Sequence, residues 1–101
     1  MSRISELQSK REQTLSRMEA EYRERQDYTQ SKMDEYKNQA EEKQSKGEDF
    51  SAEKEKWGEY KHMQDRNFDQ YKEAREKVDG YYTDKIEEAQ QEEQNDNDYN
   101  Y

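Results

Sequence analysis

The chain contains no cysteine and no proline, three glycines and one histidine. Without cysteine there is no disulfide framework and no thiolate metal site. One histidine, His62, does not make a histidine-based zinc centre. Aliphatic residues are almost as scarce: two leucines (Leu7, Leu15), two isoleucines (Ile4, Ile86) and one valine (Val78). No apolar run approaches the roughly 20 residues that span a bilayer. The N-terminal Met1-Ser-Arg-Ile-Ser-Glu has a charge but no apolar run behind it, which is not the pattern of a secretory signal. The expected address is the cytoplasm, or a particle assembled there, with no membrane partner.

What fills the chain is charge. Asp, Glu, Lys and Arg make up 45% of its 101 residues, and the formal net charge is −9. Such polarity lies between intrinsic disorder and a long helix wrapped in water. The absence of proline and the abundance of Glu, Lys, Gln, Arg, Met and Ala favour helix. The acidity is uneven. Residues 1–46 hold ten basic and ten acidic side chains, 47–85 hold eight and eleven, and 86–101 hold six acids and no base. A basic face for nucleic acid is missing, so direct nucleic-acid binding is not expected.

Apolar spacing gives the fold class. Ile4, Leu7, Leu15, Met18, Tyr22, Met33, Tyr36 and Ala40 fall on one stripe, completed by Arg11, Gln26 and Thr29. From 4 to 33 the steps run three, four, four, an eleven-residue period. Trp57, Tyr60, Gln64, Phe68, Tyr71, Arg75, Val78, Tyr82, Ile86 and Ala89 follow nearly the same steps. Each set lies on one helical face. Acid-before-base pairs at four-residue spacing, such as Glu6 with Lys10 and Glu73 with Lys77, each add about 0.2–0.5 kcal/mol. That is too little for a lone helix, so the stripe must pack.

One break divides the chain. Gly47 suits the left-handed residue that ends a helix, with Lys43 and Lys46 in the last turn. Asp49 or Ser51 can cap the helix that follows. The expected fold is all-α: an elongated antiparallel two-helix coiled-coil hairpin. Its body covers 1–94, with arms over 3–46 and 51–93 and a turn at 47–50. The alternative is one continuous helix in a parallel oligomer. In the hairpin, facing residue numbers sum to about 97. That sets Ala40 against Trp57, Tyr36 near Tyr60, Thr29 against Phe68, Tyr22 against Arg75 as a cation–π pair, Met18 near Val78 and Leu15 against Tyr82. Residues 95–101 read as a flexible, acidic and aromatic tail, in which Tyr99 and Tyr101 are contact residues for a partner.

No residue is expected to be catalytic, to bind a cofactor or to ligate a metal. Adjacent carboxylates such as Glu41-Glu42 and Glu87-Glu88 are expected by chance in so acidic a chain, and a catalytic dyad needs burial to split its pKa values. The alternating Asn95-Asp96-Asn97-Asp98 lacks the glycine and the closing glutamate of a calcium loop. The unusual feature is tyrosine, present nine times. Tyr22, Tyr36, Tyr60, Tyr71 and Tyr82 stand where leucine would be ordinary. Tyrosine keeps a hydroxyl that wants water or a partner, and it is enriched at protein interfaces. The expected interface is therefore the stripe itself: Leu15, Met18, Tyr22, Met33, Tyr36, Ala40, Trp57, Tyr60, Phe68, Tyr71, Val78, Tyr82 and Ile86. The function expected is structural, a scaffold, spacer or assembly protein acting as a homo-oligomer or with a protein partner, of the kind that suits a phage or bacterial particle. Two other readings compete. One is an acidic mimic of nucleic acid that inhibits a DNA-binding enzyme; the other is a hydrophilic stress-protective protein.

Overall fold

The computed structural model describes residues 2–99, with side chains described from 2 to 94. Two helices make up the fold, α1 over Arg3–Ser45 and α2 over Ser51–Tyr99. They form an all-α, two-helix antiparallel hairpin.

Local chemistry sets both ends of α1 and the start of α2. The Ser2 hydroxyl accepts the backbone N–H of Ser5 at 3.1 Å, and the Ser2 carbonyl accepts that of Glu6. Ser2 is thus the N-cap of α1. At the other end Gly47 takes a φ of +73°, and the Glu48 N–H bonds back to the Lys43 carbonyl at 2.9 Å. The Gly47 N–H reaches the Gln44 carbonyl at 3.1 Å. These two bonds are the Schellman closure of a helix. The Asp49 carboxylate then accepts both the N–H and the hydroxyl of Ser51, at 3.1 and 2.7 Å, and holds the first turn of α2. Those bonds keep Asp49 below the usual carboxylate pKa, the hydroxyl contributing first.

Gly47 is the one position here where a left-handed backbone is required. A Cβ added there would meet nothing within 4 Å, so the cost of a side chain is conformational only. Gly47→Val is therefore expected to destabilise the hairpin by about 1–2 kcal/mol. Gly58→Ala and Gly80→Ala, inside α2 in open space, should instead stabilise it by up to about 1 kcal/mol each. Urea titration of the three variants, followed by circular dichroism, checks the opposite signs.

The chain forms two compact units. One is Ala20–Tyr71, which contains the turn; the other joins Met1–Glu19 with Lys72–Tyr101. Beside the expected arms of 3–46 and 51–93, α1 spans Arg3–Ser45 and α2 spans Ser51–Tyr99, so helical backbone runs past residue 94. Asn and Asp are poor helix formers, but no glycine or proline stops the helix there. The side chain of Tyr99 and the whole of Tyr101 lie outside the described residues.

Candidate interaction surface

The seam of the turn-bearing unit is built from aromatic rings and amides. Tyr22 stacks on Tyr71 with ring centroids 4.3 Å apart and planes 12° from parallel. Tyr36 stacks on Tyr60 at 5.8 Å, and Tyr28 meets Tyr60 edge-on at 6.3 Å. A hydrogen bond with Tyr28 raises the Tyr60 phenol above its ordinary pKa, with burial adding to the shift. Between these clusters the Gln26 amide donates to the Tyr22 hydroxyl at 2.9 Å and to the Gln64 carbonyl at 3.2 Å. Gln64 in turn donates to the Gln30 amide oxygen at 3.0 Å. Thr29, 1% exposed, gives its hydroxyl proton to the Gln26 carbonyl one turn back. The Gln26, Gln30, Gln64 and Thr29 side chains are thereby matched rather than stranded.

Near the turn Lys43 donates to Glu53, the only charged residue buried among the described residues. Its Oε2 has no hydrogen-bond partner. The Lys43 hydrogen bond holds the Glu53 carboxyl below its usual pKa and raises that of Lys43.

In the other unit, Arg11 Nε donates to Asp79 Oδ1 at 2.8 Å, and Arg3 lies 3.4 Å from Glu92. Ile4, Leu7, Leu15, Met18, Val78, Tyr82 and Ile86 are half-buried there, and Ala89 is buried. Tyr81 packs edge-on against Tyr82 at 5.2 Å and sits beneath Lys85.

The stripe departs from the expected spacing in one stretch. From Glu53 the inner face passes Trp57 at its edge and continues through the half-buried Tyr60, Gln64, Asn67, Tyr71, Ala74 and Val78. These steps alternate four and three, a seven-residue period rather than eleven. Asn67 and Ala74 consequently replace Phe68 and Arg75 on the inner face. Phe68 is 51% exposed and Arg75 is exposed. The expected Thr29–Phe68 pairing is therefore corrected, since Thr29 is enclosed while Phe68 stands out in water. Tyr22 has Tyr71 as its stacking partner. The facing numbers sum to 96 for Tyr36 with Tyr60 and for Lys43 with Glu53, close to the expected 97, but to 93 for Tyr22 with Tyr71.

Of the remaining stripe residues, Met33 is buried at 5% exposure. Tyr36, Ala40, Tyr60 and Tyr71 are half-buried. Trp57 lies at the edge of the seam, 36% exposed, beside Ala40 in a groove that Phe50 also lines. Outside the expected stripe, Tyr28 is 55% exposed and Tyr81 57%.

The paired carboxylates Glu41, Glu42, Glu87 and Glu88 are all exposed. Among the described residues no cluster of three His, Cys, Asp or Glu side chains could hold a metal ion. No helix there is long and apolar enough to cross a membrane. No protein-family model, no curated protein and no solved structure matches the chain.

Proposed function

We propose that this chain is a non-enzymatic coiled-coil hairpin that serves as a scaffold, spacer or assembly protein, acting by self-association or on a protein partner. One observation carries the reading. The hairpin leaves four large aromatic side chains, Tyr28, Trp57, Phe68 and Tyr81, between 36% and 57% exposed. Single apolar residues on a surface are ordinary. Here the same chain buries only Met33 and Ala89 as apolar side chains among the described residues, so the four exposed rings outnumber the buried apolar side chains. Aromatic residues are also the side chains that anchor protein interfaces.

A tyrosine seam adds support. Its stacks and amide bonds fix the two helices with little aliphatic burial, and the rings outside it remain for a second surface. A cytoplasmic setting, or a particle assembled there, suits a chain that carries no basic face and so much surface charge.

Thermal melting across a roughly hundredfold range of protein concentration tests the reading. A chain stabilised by its own association melts at higher temperature as concentration rises. A melting temperature that does not move, in a chain that also stays unpartnered in its native extract, would count against self-association and assembly alike.

A further inference from the structure

Beside the turn, Tyr36, Ala40, Phe50 and Trp57 form an apolar groove of about 240 Å³ flanked by Lys37 and Lys54. It is smaller than the roughly 300–1,000 Å³ of a small-molecule site, and its scale suits one protruding side chain. None of the six lining residues is acidic. Both lysines are exposed, and neither forms an ion pair among the described residues; Lys10 and Lys72 share that state, whereas Lys32, Lys46, Lys56, Lys61, Lys77 and Lys85 each hold an acid three or four residues away. The reasons are local. Lys54 has Phe50, Ser51, Trp57 and Gly58 at those spacings. Of the acids at those spacings from Lys37, Asp34 accepts from Gln30 at 2.9 Å and Glu41 forms no ion pair with it; Glu53 is taken by Lys43. The groove therefore combines an exposed indole with two uncommitted cations, in a protein of net charge −9.

The complementary chemistry is an acidic segment tipped with aromatic rings. This chain contains one, beyond the Glu92 that Arg3 holds: Glu93-Gln94-Asn95-Asp96-Asn97-Asp98-Tyr99-Asn100-Tyr101, with three acids, no base and two tyrosines. We propose that the Lys37–Lys54–Trp57 groove receives residues 93–101 of a second copy of the chain. The carboxylates meet the two lysines, and a tyrosine ring packs on Trp57 and Phe50, where aromatic pairs favour offset or edge contacts. Elsewhere two copies of so acidic a chain repel; here they attract, which fixes where they join. The contact is heterologous, one end of the sequence on a different region of the next copy, and such contacts propagate into rings or filaments. This names the partner surface for the self-association proposed above and rests on that reading.

Trp57 is the only tryptophan, so its fluorescence reports the groove directly. A synthetic peptide of residues 90–101 is titrated into the dilute full-length chain. The expected result is a saturable blue shift of Trp57 emission that weakens with salt. In Lys37→Glu/Lys54→Glu, two exposed positions with no partner to lose, binding should fall about tenfold. Lys10→Glu should bind as the parent does. A peptide with Asp96 and Asp98 changed to Asn and both tyrosines to Ser should not bind. Two results overturn the proposal. One is no shift, or an equal shift in the charge-reversed variant. The other is an emission that reddens on deletion of 95–101 to the same extent at every dilution, because the segment then docks within its own chain. A melting temperature that still rises with concentration while the peptide leaves Trp57 unmoved would reject this groove and leave self-association standing.

Discussion

Met33→Asp is expected to abolish cooperative melting of the hairpin. Met33 is 5% exposed and, with Ala89, is one of two buried apolar side chains among the described residues. It lies one turn from buried Thr29 and from Tyr36, where the seam is most enclosed. Truncation of a buried methionine to alanine costs about 2–5 kcal/mol. Aspartate removes the same contacts and also places an unpaired charge there. A folded chain of this length has about 5–15 kcal/mol to lose, and a seam with so little aliphatic burial belongs at the low end. Met33→Leu keeps volume and should cost less than about 1.5 kcal/mol. Circular dichroism during a thermal scan should show a flat, non-cooperative trace for Met33→Asp and a near-parental transition for Met33→Leu. A near-parental transition for Met33→Asp would mean that the seam is not where the hairpin is held.

Lys43→Met should rank next, and its effect should be unequal to that of removing the other partner. Glu53 is 9% exposed and already has one oxygen without a hydrogen bond. Without Lys43 its carboxylate is enclosed with no cation, the costly way to break such a pair. Without Glu53 the lysine, whose side chain is 40% exposed, turns to water. Lys43→Met should therefore destabilise the hairpin far more than Glu53→Gln, and Lys43→Met/Glu53→Leu should recover much of the loss.

The pH dependence has opposite signs in parent and variant. Lys43 lowers the folded Glu53 pKa below 4.5. The contribution of Glu53 is thus complete above pH 4.5 and lost as pH falls through the lower, folded value. The folded Lys43 pKa is raised above 10.5, so its contribution is complete below pH 10.5 and lost as pH rises through the folded value. In Lys43→Met the enclosed carboxyl instead gains from protonation, and stability should rise as the solution is acidified toward that range. Urea midpoints measured from neutral to acid pH on parent and variant check the crossing trends. Parallel curves would show that Lys43 does not govern Glu53.

The hairpin was legible in the sequence because its punctuation is sparse and decisive. Gly47 is the one glycine with a left-handed backbone, and it sits where Lys43 and Lys46 close a helix and Asp49 opens another. Tyr36 with Tyr60 also follows from folding the chain about that point. Hydrophobicity failed at Phe68. A phenylalanine in a polar chain reads as core, yet Asn67 takes the inward place, its amide 3.5 Å from the Gln26 amide oxygen. The seam there is made by side chains that bond across it, and spacing decides over polarity. Glu53 was missed for a related reason. A glutamate in a first turn reads as a cap or a solvated charge, but it lies four residues before Trp57 on the same alternating steps. Its spacing held the signal that its charge concealed. The four exposed rings carry no sequence mark of their own, because an aromatic residue on the inner face and one beside it look alike until the register is known.

Sedimentation equilibrium of the parent chain beside Tyr28→Ser/Trp57→Gln/Phe68→Ser/Tyr81→Ser tests the central claim most directly. Tyr28 packs on Tyr60, Trp57 edges the seam beside Ala40 and Tyr81 packs on Tyr82, so the two chains are compared at a temperature where circular dichroism shows the variant as helical as the parent. The parent should show a mass that climbs above 12.5 kDa with concentration, and the variant should stay at the monomer. A parent that remains at 12.5 kDa throughout, or a variant that associates as strongly as the parent, would contradict it.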